Sequence, residues 1–78
     1  MNKKVYELIM SGESDNNINY TDFQNLIIDL GFGFKRQKGS HVMYYNKNIR
    51  EFINVQKQGN KAKDYQVKQL REIIEHNL

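Results

Sequence analysis

Apolar residues recur every three or four positions in three stretches of the chain, which is the spacing of amphipathic helices. The first stretch covers residues 3–10, the second begins near residue 20, and the third begins near residue 64. The apolar residues are Val5, Leu8 and Ile9 in the first stretch, Tyr20, Phe23, Leu26, Ile27 and Leu30 in the second, and Val67, Leu70, Ile73 and Ile74 in the third. The pattern therefore predicts three helices, each with one buried side.

Residues that start or stop helices lie at the ends of these stretches. Ser-Gly at 11–12 ends the first pattern, and Gly31 is suited to the left-handed conformation that stops the second. Asn19 can cap the second helix, although a capping box beginning at Thr21 competes with it, so the predicted start is open by two residues. Asp64 can cap the third helix.

Between the second and third helices the period changes to that of β-strands. The segments "GFKRQ" (33–37), "HVMYYN" (41–46) and "IREFINVQ" (49–56) read as three strands, separated by "KGS" and "NKN" turns, and "KQGNKAK" follows as a basic loop. Alternation places His41, Met43 and Tyr45 on one side of the second strand and Val42 and Tyr44 on the other. It likewise places Glu51, Ile53 and Val55 on one side of the third strand and Phe52 on the other.

The predicted order is a short helix followed by α-β-β-β-α, which corresponds to an α+β two-layer sandwich. A three-stranded meander is antiparallel and needs one covered face, which two amphipathic helices can supply. The opposite face of the sheet is expected to stay open. We expect residues 1–17 to form a helical arm and linker, and residues 18–78 to form the main domain.

The charge of the chain is distributed unevenly. Residues 35–71 hold ten basic and two acidic residues, a net charge of +8, whereas residues 1–34 hold two basic and five acidic residues, a net charge of −3. A block this basic attracts polyanions such as nucleic acid. The ordinary alternative is a solvated, lysine-rich surface.

Several classes of protein are disfavoured by composition. With no cysteine among its 78 residues, the chain cannot form disulfides and has no thiol nucleophile. Its two histidines alone are also a poor set of ligands for a metal ion. Neither an apolar run of about 20 residues nor a signal-peptide core is present, so we expect a cytoplasmic protein without a cofactor. A chain this short favours a function carried on an open surface over one in a deep cleft.

The segment "KGSH" at 38–41 is the strongest candidate site. His41 follows a Gly39-Ser40 turn that lets a substrate backbone approach closely, and a tight hairpin could bring Arg36 and Lys38 beside it. A single strand histidine is more often structural than catalytic, and only these neighbours shift that balance.

The chain resembles the HicA toxins of bacterial toxin–antitoxin systems in three features. These are the order of its elements, "LGF" at 30–32 and "KGSH" at 38–41. The resemblance covers about residues 18–78, and "KAKDYQVKQLREII" is similar to the closing helix of that family. It implies a double-stranded-RNA-binding-domain-like fold, an mRNA interferase activity with His41 as the catalytic residue, and a HicB antitoxin as partner. The chain departs from many members at Val42, where they have a second histidine, and at "VQKQG", where they have a proline.

An imidazole with an ordinary pKa near ~6.5 can move protons near neutral pH, and RNA supplies its own nucleophile in the ribose 2′-hydroxyl. We therefore expect metal-independent RNA cleavage. Arg36, Lys38 and Lys57 are candidates for binding phosphate, with Gly39 and Ser40 in the adjoining turn. Tyr44 or Tyr45 could stack an unpaired base or serve as a proton partner. Alternation predicts that one of them is buried, and Tyr45, on the side of His41, is the candidate for stacking.

Two alternatives stay open from the residues alone. One is a non-catalytic module that binds RNA by its A-form shape. The other is a protein-binding domain, which the basic block disfavours. His76, two residues from the carboxyl terminus, is expected to be structural or neutral.

Overall fold

The computed structural model describes residues 1–77 and contains three α-helices and five short strands. In chain order these are α1 (Lys3–Ser11), α2 (Tyr20–Asp29), β1 (Gly33–Lys38), β2 (His41–Asn46), β3 (Glu51–Val55), β4 (Lys57–Gln58), β5 (Lys61–Ala62) and α3 (Asp64–Asn77). The predicted α-β-β-β-α order with an extra short helix in front is confirmed, and it is consistent with the double-stranded-RNA-binding-domain-like fold. The predicted domain end at residue 78 lies outside the described residues.

The helix ends follow local capping chemistry. Asn19 caps α2, since its Oδ1 accepts the backbone N–H of Asp22 at 3.0 Å, so the competing start at Thr21 is wrong. Gly31, with φ 101°, ends α2 in the left-handed conformation, as predicted. Asp64 is the first residue of α3 and not the residue before it, and its carboxylate accepts the backbone N–H of Tyr65.

The main sheet has the antiparallel order β1-β2-β3, with β2 in the centre. The third strand begins at Glu51, two residues later than predicted, because the turn before it extends to Arg50, which has a φ of 56°. The stretch predicted as a basic loop is instead the β4–β5 hairpin. Hydrogen bonds from Ala62 N–H to Ile18 O and from Tyr20 N–H to Asn60 O hold this hairpin against the segment that leads into α2.

One layer of the molecule is helical, and the core lies between it and one face of the sheet. The buried strand residues alternate as the sequence predicts, with Val42 and Tyr44 on β2 and Ile53 and Val55 on β3. They join buried residues of all three helices in a single cluster, of which Phe23 on α2 is fully enclosed. The opposite face of the sheet is therefore left open.

The amino-terminal arm packs on this core. Val5 and Ile9 of α1 are buried in the same cluster as the other helices. The linker after α1 is held by Arg71 of α3, whose Nη1 and Nη2 donate to the two carboxylate oxygens of Asp15 at 2.7 and 2.9 Å. Nη1 of Arg71 also donates to the carbonyl of Ile9 at the end of α1. This one guanidinium thus ties the arm and its linker to the last helix.

We expect Asp15→Asn to lower the free energy of unfolding by about 1–2 kcal/mol at neutral pH, because a two-point charged hydrogen bond is lost from a pair whose side chains are 15% and 23% exposed. The Arg71 hydrogen bond lowers the pKa of Asp15 in the folded state. A lowered folded-state pKa adds stability above the ordinary carboxyl pKa, and this stability is lost as the pH falls through the folded-state value.

The measurement is urea denaturation at several pH values between about 3 and 7, with Glu13→Gln in the same linker as control. The difference between wild type and Asp15→Asn should shrink at the acid end. A difference that stays constant over this range would contradict the ion-pair explanation.

Candidate nucleic-acid interface

A β-bulge in the edge strand sets which β1 side chains share a face with His41. Phe34 pairs with Tyr44 but Arg36 pairs with Met43, so Lys35 is the extra residue between them. Strict alternation from Phe34 would have placed Arg36 on the core side of the sheet. The bulge shifts the register by one, and Arg36 and Lys38 consequently lie on the open face.

The open face contains a shallow cleft around His41. It is lined by Arg36, Gln37, Lys38, His41, Met43 and Asn54, and it has a volume of about 610 Å³. The imidazole of His41 is exposed, and its cross-strand neighbour on β1 is Lys38. The structure therefore brings three of the predicted site residues together, namely His41, Arg36 and Lys38.

The predicted turn joins β1 to β2 directly beside this cleft. Gly39 and Ser40 form a two-residue hairpin loop closed by the Lys38–His41 pair, and Gly39 has a φ of 59°. A glycine with positive φ at the first central position is typical of a type II′ hairpin turn. Space is not the reason for glycine, since a Cβ at Gly39 would meet no atom within 4 Å. This open surface leaves room for a substrate backbone over the turn.

A series of hydrogen bonds that the sequence reasoning missed links the Gly39-Ser40 turn to α3. Nε2 of Gln56 donates to the hydroxyl oxygen of Ser40 at 3.0 Å. The backbone N–H of Gln56 donates in turn to Oε1 of Gln66, a buried residue of α3, at 2.7 Å. These bonds connect the loop beside His41 to the last helix. The one feature of the sequence that pointed to these bonds was Gln66, a glutamine next to Val67 on the apolar side of the third helix.

Lys57 lies elsewhere. It is not among the residues that line the cleft around His41, and its Nζ is 5.4 Å from the centroid of the Tyr20 ring. This separation is that of a cation–π contact. Burial raises the pKa of Tyr20, so the phenol beneath the ammonium group stays protonated to higher pH than an exposed tyrosine. The predicted contact between Lys57 and RNA stays a prediction.

Tyr44 and Tyr45 point to opposite faces, which confirms the prediction that one of them is buried. Tyr44 lies in the core, and its hydroxyl oxygen is 2.6 Å from Nε2 of Gln24 on α2, which donates to it. Tyr45 is half-buried on the open face and packs on Phe52 of β3, with ring centroids 4.4 Å apart and ring planes 39° apart. The stacking of an RNA base on Tyr45 stays a prediction.

Residues 1–77 offer neither a metal-binding cluster nor a membrane-spanning helix. They contain no group of three or more histidine, cysteine, aspartate or glutamate side chains arranged to hold a metal ion. Within the same residues, no helix has both the length and the apolar character needed to span a bilayer.

Comparison with known proteins decides the family. The family model described as the HicA toxin of bacterial toxin–antitoxin matches residues 20–76, which run from the start of α2 to near the end of α3. This chain belongs to the HicA toxin family. No curated protein and no solved structure matches it at a significant level.

The matched segment of this HicA chain includes the whole open face and the turn before His41, whereas α1 lies in front of it. Membership makes the protein a toxin of a toxin–antitoxin system, and it implies a cognate antitoxin as partner.

Proposed function

We propose that this HicA toxin is an endoribonuclease that cleaves messenger RNA in the cytoplasm, with His41 as the group that moves the proton. The observation that supports this proposal most strongly is the exposed imidazole of His41 in an open cleft whose rim carries Arg36 and Lys38. A ribose-phosphate chain can reach this imidazole without any rearrangement of the core.

The reaction uses the nucleophile that RNA already contains. The neutral imidazole of His41 accepts the proton of the ribose 2′-hydroxyl while the 2′-oxygen attacks the adjacent phosphorus. The bond from phosphorus to the 5′-oxygen then breaks, and water in the open cleft supplies the proton that the leaving 5′-oxygen needs. The products are a 2′,3′-cyclic phosphate and a 5′-hydroxyl, and the reaction requires neither a metal nor an organic cofactor.

Arg36 and Lys38 stabilise the charge that develops on the phosphoryl oxygens. Arg36 offers a planar guanidinium that can bind two phosphate oxygens, and Lys38 supplies a compact charge directly across from His41. Ser40 and Gly39 present the open turn over which the RNA backbone passes.

The same face is suited to the antitoxin, which we propose to be HicB-like. A protein with acidic residues opposite Arg36 and Lys38, and with apolar side chains opposite Tyr45 and Phe52, would complement it in charge and shape. A toxin of this size gains stability by mass action when such a partner binds.

The proposed chemistry predicts that replacing the 2′-hydroxyl at the cleaved position blocks the reaction. We expect the purified protein, with EDTA present, to cut a single-stranded RNA and to leave 2′,3′-cyclic phosphate ends, because the 2′-oxygen must attack. A strand of the same sequence with a single 2′-O-methyl group at that position should stay intact there.

DNA of the same sequence serves as the second control and should not be cut at all. Equal cleavage of RNA, 2′-O-methyl RNA and DNA would contradict the mechanism. RNA that is bound but never cut would instead favour the non-catalytic RNA-binding module.

A further inference from the structure

The side of the Tyr45 ring away from Phe52 faces a second cleft on the molecule. The residues that line this cleft are Gly31, Gly33, Phe34, Lys35, Tyr45 and Lys47. Its volume is about 230 Å³, which is below the roughly 300–1,000 Å³ of typical small-molecule sites. The cleft therefore suits one flat ring system and not a larger ligand.

The absence of a side chain at residue 33 creates this cleft. Gly33 is the cross-strand partner of Tyr45 on β1, and Phe52 is its partner on β3. The Phe52 side is filled by aromatic packing, while on the other side the partner residue Gly33 contributes no side chain. Phe34 pairs with Tyr44 and its ring meets the Tyr44 ring edge-on, so it borders the cleft from the other side of the edge strand, with 64% of its surface exposed. Tyr45 and Phe34 thus give the lining of this cleft an aromatic surface.

Two cations frame the aromatic surface. Lys35 is the extra residue of the bulge in β1, and Lys47 follows the end of β2. Both line the cleft, so the site combines a ring platform with two positive charges. Proteins that bind single strands use this combination, with bases on the rings and phosphates on the basic residues.

We propose that the cleft between Gly33 and Tyr45 binds one unpaired nucleobase of the RNA, stacked on Tyr45, with the flanking phosphates on Lys35 and Lys47. This proposal rests on the proposed function, and it specifies single-stranded RNA as the class of substrate. A base within a duplex has both faces covered by its neighbours, so only RNA that is single-stranded at this point can fill the cleft. The site lies four residues along β2 from His41, or about 13 Å, so the bound base is not at the cleaved position.

Gly33→Val provides a direct test, because it should close the cleft without removing any contact. Gly33 does not adopt a left-handed conformation, and a Cβ there would come no nearer than 4.0 Å to the closest atom, the carbonyl oxygen of Tyr45. Valine is moreover well suited to a strand. Tyr45→Leu is the second variant and removes the ring itself. Tyr6→Leu, which removes a tyrosine ring from α1 in the helical layer, is the control.

All variants are made together with His41→Ala, so that the RNA stays intact and only binding is measured. The probe is a single-stranded oligoribonucleotide that contains 2-aminopurine, whose fluorescence falls when the base stacks on an aromatic ring. We expect quenching on binding by the His41→Ala protein. Gly33→Val and Tyr45→Leu should each remove the quenching and weaken binding about tenfold. Tyr6→Leu should change neither, and annealing the probe to its complement should abolish the quenching.

The possible results separate this proposal from the nuclease assignment. RNA binding with quenching that survives in both cleft variants would overturn the base site alone and leave the cleft to a protein partner. The absence of any RNA binding by the His41→Ala protein would overturn this proposal together with the proposed function. Thermal melts of each variant show whether the folded state has been kept.

Discussion

Replacement of His41 by alanine is expected to lower the rate of RNA cleavage by about 10²–10⁴-fold, the usual contribution of a positioned proton-transfer group. The imidazole is exposed on the open face, so its removal should not disturb the core. The folded state and the affinity for RNA should therefore be nearly unchanged. Single-turnover cleavage of a labelled RNA, together with a binding titration on a 2′-O-methyl analogue, measures the two effects separately.

The matched control is His76→Ala, which removes the other histidine of the chain. His76 is exposed near the end of α3, where its Nδ1 lies 2.7 Å from the carbonyl oxygen of Glu72. Its loss should leave the cleavage rate unchanged. If both alanine variants cut at the wild-type rate, His41 is not the proton-transfer group.

The second large effect is expected on RNA affinity, from the double variant Arg36→Ala/Lys38→Ala. Each cation that contacts a phosphate of a single strand releases about 0.7 counterions, and log K therefore falls as log[salt] rises. The loss of two contacts should make this negative slope shallower by about 1.4. For each tenfold decrease in salt concentration, the affinity of the wild type should therefore rise about 25-fold more than that of the double variant. Binding titrations of one RNA from about 0.05 to 0.5 M salt give the slope.

Lys3→Ala/Lys4→Ala is the control with the same change in net charge. Both lysines are exposed in the first turn of α1, in the helical layer and outside the clefts of the open face. This variant should keep the slope of the wild type within about 0.3, since only long-range attraction is reduced. Equal losses in the two double variants would show that the total charge, and not the bulge-directed pair beside His41, governs binding.

The arrangement of β2 could be predicted because each residue of this strand obeys simple alternation. The apolar residues Val42 and Tyr44 specify the covered face, and His41 and Tyr45 consequently lie on the open one. The end of α2 at Gly31 was equally accessible, since a left-handed glycine acts through the adjacent backbone, whereas the start of α2 could be narrowed only to a cap at Asn19 or at Thr21.

The β1 bulge was beyond prediction from the sequence. All six residues of β1 are exposed, so the strand shows no apolar alternation that could reveal a shift in register. The shift is fixed by the neighbouring strand, through the pairs from Gly33–Tyr45 to Lys38–His41. The proximity of Arg36 and Lys38 to His41 was expected from the hairpin. Both side chains share the face of His41, however, only because Lys35 is an extra residue in β1.

Interactions between distant segments were also hidden in the sequence. The β4–β5 hairpin has strands of two residues, too short for any periodic pattern, and its docking depends on backbone bonds to Ile18 and Tyr20. Lys57 was placed in the site because of its charge, whereas the hairpin directs its ammonium over Tyr20. The Asp15–Arg71 ion pair links residues 56 positions apart, and no local signal identifies such a pair.

The most direct test of His41 as the catalytic group is inducible expression of the wild type beside His41→Ala in a bacterium, with RNA 5′ and 3′ ends mapped after induction. The wild type should stop growth and generate new 2′,3′-cyclic phosphate and 5′-hydroxyl ends within messenger RNA, and the equally abundant His41→Ala protein should do neither. Growth arrest and identical new RNA ends in both cultures would contradict the assignment of His41.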